Sequence, residues 1–277
     1  KGLSSLLVEN TTFESNTVSE EGSSGAFYFP FVSNANFINS KFINNKAPYG
    51  GALYIVPGSD SLFHFEDCEF TGNTATISDS NSGTTKGGGA IYFYKHHTNF
   101  DISGLTFLRT SFNDNSANSL GGAIFLLSDD GSDNFYKNTK CDSCNFTNNQ
   151  ALGGAGKGGG AIMCCCVKDL EILNCNFKNN KATTDGGAIL INEGRNTISF
   201  TGSNFTGNRA ESTASRGGAV RFSYVVADSS FEDCRFEDNY AGESGGALSL
   251  PEPKLNKNDG SSHTNRHATF NGCAFIN

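Results

Sequence analysis

Two short motifs alternate along this chain, and their repetition constrains the fold more than any other feature. Phe-x-x-Asn marks eight repeat copies, opening at Phe13, Phe42, Phe70, Phe112, Phe146, Phe177, Phe205 and Phe236. In seven of the eight an Ala stands two residues after the Asn (Val18 takes its place in the first). Each copy is accompanied by Gly-Gly-Ala and then an apolar residue, with Ala at Ala52, Ala90, Ala123, Ala161, Ala188, Ala219 and Ala247. The first copy carries the degenerate Ser24-Gly25-Ala26. Successive motif Phe residues lie 28 to 42 residues apart. Constant motifs separated by variable lengths are the mark of a solenoid, in which each repeat packs only on its neighbours.

Period decides which solenoid. Residues after each Gly-Gly-Ala alternate, with one apolar column at Leu53, Ile91, Ile124, Ile162, Ile189, Val220 and Leu248 and another two residues on, such as Ile55, Phe93, Leu126, Cys164 and Ile191. Period two means strands with one face inward. Two residues before the motif Phe only small side chains occur: Thr11, Ser40, Cys68, Thr110, Cys144, Cys175, Ser203, Cys234 and Cys273. Five residues before it the column is mostly Phe, so two ring ladders are expected to run along the core. The residue preceding each motif Asn is Ser, Asn, Asp or Gly, types that tolerate left-handed backbone angles, so a sharp corner is expected there. The Asn itself can bond its amide to the same Asn one coil away. The Gly-Gly pair predicts a second corner.

These expectations combine into an all-β, right-handed single-stranded parallel β-helix of about eight rungs with partial rungs at both ends. One continuous β-helix is expected over 1–277, as a slice of a longer protein, with insertion loops near 76–86, 128–138 and 251–267. The paired Phe-x-x-Asn and Gly-Gly-Ala-Ile repeats resemble those of the Chlamydia polymorphic membrane proteins. That resemblance implies a surface-exposed, adhesive β-helix.

Composition narrows the function. The net charge is −8, which disfavours a phosphate-backbone partner, so no nucleic acid is expected. No run approaches 18 apolar residues, so no transmembrane helix is expected. No catalytic set, metal site or cofactor emerges. The acidic groups Glu66/Asp67/Glu69 and Glu232/Asp233 are five rungs apart, about 24 Å at the strand spacing, too far for a glycosidase pair. Asp67 is expected beside Arg109, and Glu69 beside Lys41. Among nine cysteines, Cys144–Cys175 and Cys234–Cys273 share a column on adjacent rungs and are disulfide candidates. Alternation places Cys164 and Cys166 inside and Cys165 outside, as the best candidate for a reactive thiol.

The outward column after Gly-Gly-Ala is unusually apolar: Tyr28, Tyr54, Tyr92, Phe125 and Met163, with Tyr94 one outward position on. An exposed apolar stripe marks an interface, expected here to be covered by a second subunit, a glycan or an inserted loop. Asn10, Asn145 and Asn204 begin Asn-x-Thr sequons and are candidate N-glycosylation sites. The leading expectation is an extracellular structural or adhesive stalk or filament segment of a microbial cell surface. Its partners would be further copies of itself, end to end or laterally, or host and cell-surface ligands, glycans among them. The alternatives are a polysaccharide lyase or hydrolase on the same fold, and a glycan-binding module using the stripe.

Overall fold

The computed structural model describes residues 3–19, 27–77, 86–95, 102–128, 135–154, 158–225, 227–250 and 267–277. The interiors of the three expected insertion loops, at 78–85, 129–134 and 251–266, and the degenerate Ser24-Gly25-Ala26 lie outside the described residues. Among the described residues there are strands, turns and bends but no helix. The chain winds as a β-solenoid whose strands pair in parallel, like with like.

Each coil has three sides. The long side forms a 13-stranded sheet, the Phe side a nine-stranded sheet and the Ala side a seven-stranded sheet. Seven coils therefore carry all three sides. The first Phe-x-x-Asn copy has only a single bridge, Thr17 to Lys46, on its third side. Where a coil has no insertion, one strand covers the whole long side, as in Leu53–Glu66, Ile162–Leu173 and Ile189–Thr201. Where a coil has one, that side splits, as in Ile91–Lys95 followed by Ile102–Leu108. The Phe side is three residues long, as in Asn176–Lys178, and the Ala side two, as in Lys181–Ala182.

The corners explain these lengths. Residues before the motif Asn take positive φ throughout: Asn44, Asp114, Asn148, Asn179 and Asp238 near +54°, and Gly72 and Gly207 near +67°. A second left-handed corner separates the long side from the Phe side, at Asn10, Asn39, Asp67, Arg109, Ser143, Asn174, Gly202, Asp233 and Gly272. Alternation alone runs the strand straight through to the motif Phe and misses this corner. Its column carries the same Asn, Asp, Gly and Ser preference, which is the signal that could have found it. Arg109 is the exception, at φ +47°.

Stacking fills the lumen. Phe13, Phe42, Phe70, Phe112, Phe146, Phe177, Phe205, Phe236 and Phe275 form one column with successive ring centroids 4.6–4.9 Å apart. The spacing is that of the strands themselves, so backbone register sets the ring pitch. A second ladder, Phe37–Phe65–Phe107, meets the first edge-on. It breaks at Cys141 and Ile172 and resumes at Phe200–Phe231–Phe270. Phe177→Ala should cost about 3–5 kcal/mol, because it opens a hole between two rings inside a closed lumen. Phe275, half exposed at the last described coil, should lose clearly less when truncated. Urea midpoints of the two variants check this.

Between the Phe and Ala sides runs the asparagine ladder. Each buried Asn is fully satisfied. Asn149 Oδ1 accepts from the Asn115 backbone N–H (3.1 Å) and Asn115 Nδ2 (3.0 Å). Its Nδ2 donates to Phe112 O (2.9 Å) and Asn180 Oδ1 (2.9 Å). The pattern continues from Asn16 to Asn239. The sequence pointed to the amide-to-amide bonds. The backbone N–H and Phe carbonyl partners appear only in the folded coil.

Candidate functional site

The outward stripe lies where alternation puts it, outside the lumen and stacked coil on coil. Ring centroids are 5.1 Å apart for Tyr28–Tyr54, 5.2 Å for Tyr54–Tyr92 and 5.3 Å for Tyr92–Phe125. Phe125 is followed by its register partner Met163 and then Leu190. Its exposure differs from what the sequence pattern suggests. Tyr92, Phe125, Met163 and Leu190 are buried within the chain itself, together with Leu120 and Leu127, as a second apolar core outside the lumen. Tyr54 and Tyr94 are half-buried at its margin, and only Tyr28 is exposed, at 47%.

The physical reason lies in the Gly-Gly corner. Its first glycine, such as Gly121 at φ +61°, brings the incoming chain back against the strand that follows. Leu120 joins the buried cluster and Tyr49 packs on it, with Tyr49 centroids 5.9 Å from Tyr54 and 6.1 Å from Tyr92. Alternation reports the side of the strand a residue occupies and says nothing of what the chain lays across that side. An apolar residue just before Gly-Gly is the sequence signal for this cover. Farther along, the column turns polar at Arg221, whose Nη1 donates to Ser249 Oγ (2.7 Å) and whose Nε lies 4.0 Å from Asp185.

The small column before the motif Phe is a second hydrogen-bond ladder. Ser40, Thr110 and Ser203 each donate a hydroxyl to the carbonyl two residues before, at 2.9–3.1 Å, and Cys68, Cys144 and Cys175 do so with their thiols at 3.1–3.3 Å. Backbone N–H groups of one coil donate to the hydroxyl or thiol of the next: Thr11 to Ser40, Cys144 to Cys175, Cys175 to Ser203. The disulfide candidates Cys144 and Cys175 are neighbours in this ladder, as are Cys234 and Cys273. Cys144, Cys175, Cys234 and Cys273 all carry free thiols. In-register parallel coils bring each sulfur within reach of a carbonyl, as their serine neighbours bring their hydroxyls, and also of its partner's thiol. Burial pushes the thiols of Cys68 and Cys234 up to about 11, so they stay protonated donors.

Alternation also fails within Cys164-Cys165-Cys166. Cys164 and Val167 belong to the lumen core, while neither Cys165 nor Cys166 does. Lumen-facing positions three residues apart mean that the chain turns between them. Cys166 is buried with its Sγ 4.0 Å from Glu193 Oε2, and Cys165 is half-buried beside the outer core.

The three sequon residues are exposed. Asn145, Asn176 and Asn204 form an outer amide ladder, in which Asn176 Nδ2 donates to Asn145 Oδ1 and Asn204 Nδ2 to Asn176 Oδ1, both at 3.1 Å. A glycan on Asn204 would leave its amide a single N–H, the number this bond uses. Asn10 accepts from Asn39 Nδ2 (2.6 Å).

The acidic group on the third rung is found in ion pairs. Arg109 donates Nε to Asp67 Oδ1 (2.8 Å) and Nη2 to Asp67 Oδ2 (2.9 Å) and to Glu66, and Lys41 Nζ stands 3.1 Å from Glu69. Hydrogen bonding to Arg109 lowers the Asp67 carboxyl below its ordinary range. His64 first and Arg109 second do the same for Glu66. The fork sits at the corner where Arg109 takes its unusual backbone conformation. Among the described residues, no three His, Cys, Asp or Glu side chains come together as a metal-holding group, and no helix is long and apolar enough to cross a membrane.

Four segments, residues 67–94, 109–126, 143–165 and 174–192, match the Chlamydia polymorphic membrane protein repeat. The matched segments lie on the parallel β-solenoid, in keeping with the motif resemblance. No curated protein and no solved structure matches it.

Proposed function

We propose that this protein is an extracellular structural element of a microbial surface, a stalk or filament segment whose repeats supply length and stiffness and whose outer face makes adhesive contacts. One observation carries the reading. The same three ladders, Phe rings, Asn amides and Ser/Thr/Cys donors, continue through coil after coil while chain length varies only between them. Such a body is a rod with constant cross-section, stabilised by nearest-neighbour terms that do not weaken with length. The polymorphic membrane protein repeats in four segments support a place at the cell surface.

Within this reading the adhesive contact falls on the exposed end of the aromatic stripe, Tyr28 with Tyr54 stacked behind it. Amphipathic rings with one open face suit saccharide rings or a protein partner. The test is adhesion of protein-coated beads to cell monolayers, paired with antibody labelling of intact source cells. Tyr28→Ser with Tyr54→Ser should cut bead adhesion several-fold while circular dichroism stays unchanged. Adhesion that persists in the double variant would move the contact elsewhere. Intact cells that do not label would remove the surface reading altogether.

A further inference from the structure

The thiols of Cys165 and Cys166 are the chemistry that the structural role leaves unused. Seven of the nine cysteines are buried; Cys165 and Cys273 are half-buried. Cys141, Cys164 and Cys175 line the lumen or its hydrogen-bond ladder. Cys165 and Cys166 differ in three ways. They sit at the turn between lumen-facing Cys164 and Val167, so both lie outside the lumen. Strand pairing to the preceding coil stops at Leu126↔Cys164 and resumes at Tyr136↔Val167, leaving both residues without a paired strand there among the described residues. On the other side only Cys166 is paired, with Glu193, whose carboxylate is 4.0 Å from its Sγ.

We propose that Cys165 and Cys166 form a redox-active vicinal dithiol, which closes to a disulfide between neighbouring residues on meeting a small-molecule disulfide. The half-buried Cys165 is the attacking group. Its thiol is made more acidic by the hydrogen bond from Cys166, and the Cys166 thiol is correspondingly held protonated. Cys165 thiolate attacks one sulfur of the reagent, forming a mixed disulfide and releasing one thiolate, which takes up a proton. Cys166 then loses its proton, attacks Cys165 Sγ and expels the second small thiol. Two protein thiols are oxidised to one S–S bond, and one reagent disulfide is reduced to two thiols.

Adjacent Cα atoms are about 3.8 Å apart, below the usual 4.4–6.8 Å span of a disulfide. The ring is therefore strained and should reopen under mild reductant, as labile disulfides do.

The experiment treats the folded chain with oxidised glutathione, blocks free thiols, digests with trypsin and sequences the peptide 158–168 by tandem mass spectrometry. The expected result is a loss of two hydrogens, with the cross-link between Cys165 and Cys166, reversed by a monothiol under conditions that leave the fold intact. Cys165→Ser should abolish it. A Cys164→Ala variant should retain it, which separates the proposed pair from a Cys164–Cys165 link. Three results overturn the proposal: a glutathione adduct that persists on Cys165 without closing, a link that disappears in Cys164→Ala, or no reaction at either residue.

Discussion

Replacing Gly160 with alanine is expected to prevent folding or to cost more than about 4 kcal/mol, a range reserved for a few severe mechanisms. The same replacement at Gly246 should cost far less. Gly160 is the second glycine of its corner and does not have positive φ, so backbone freedom is not the issue. A Cβ there would overlap Gly187 O of the next coil and stand 2.6 Å from Lys181 N. Both obstacles are backbone atoms of a ladder hydrogen-bonded on either side, so neither can give way without disturbing several coils. The same overlap recurs at Gly51, Gly89, Gly122, Gly187 and Gly218, each against the carbonyl of the glycine one coil on. At Gly246 the nearest atom is Asn239 O at 3.1 Å. Urea denaturation of the pair provides the measurement. Equal midpoints would show that close stacking of corner carbonyls is not why glycine is required.

The second large effect is expected at Asn149. Asn149→Ala leaves the Asn115 N–H, one Asn115 Nδ2 hydrogen and one lone pair of Asn180 Oδ1 without their partners. The site is fully buried, so water cannot replace them. At about 1–3 kcal/mol for each stranded buried group, the loss should be at least about 3 kcal/mol. Asn145→Ala, on the exposed outer ladder, should lie within about 0.5 kcal/mol of the parent. Thermal or urea unfolding of the two variants compares an inner with an outer amide ladder at the same coil. A similar small loss in both would mean that the inner ladder is incidental to stability.

Much of the fold was legible because a solenoid converts three-dimensional contacts into sequence periodicity. When every coil places the same side chain at the same height, a column such as Phe42, Phe70 and Phe112 reads as a motif along the linear chain. The corner before Asn45 and Asn149 was legible for the same reason, since left-handed φ selects Asn, Asp and Gly. The corner at Asn39, Asp67 and Arg109 was not, because Arg109 breaks the preference and its partners Asp67 and Glu66 lie one coil away. The candidate site was legible only by side. Tyr92 and Phe125 were correctly placed outside the lumen, yet their burial depends on Tyr49 and Leu120, which reach them through a glycine corner.

The cysteines divide along the same line. Columns identify Cys144 with Cys175 and Cys234 with Cys273 as neighbours, and neighbours they are. Which carbonyl each sulfur also reaches is a matter of side-chain direction, which parallel in-register geometry decides and adjacency does not. Alternation assigns Cys166 to the lumen only by continuing past the point where the chain turns. By itself, then, the sequence determined the repeat, the parallel coil and the identity of each lumen column, because those follow from period and residue type. Only the tertiary structure decided the second corner, the buried outer core and the partners of each thiol. These depend on where the chain lies one coil away, and a pattern read within a single coil carries no information about that.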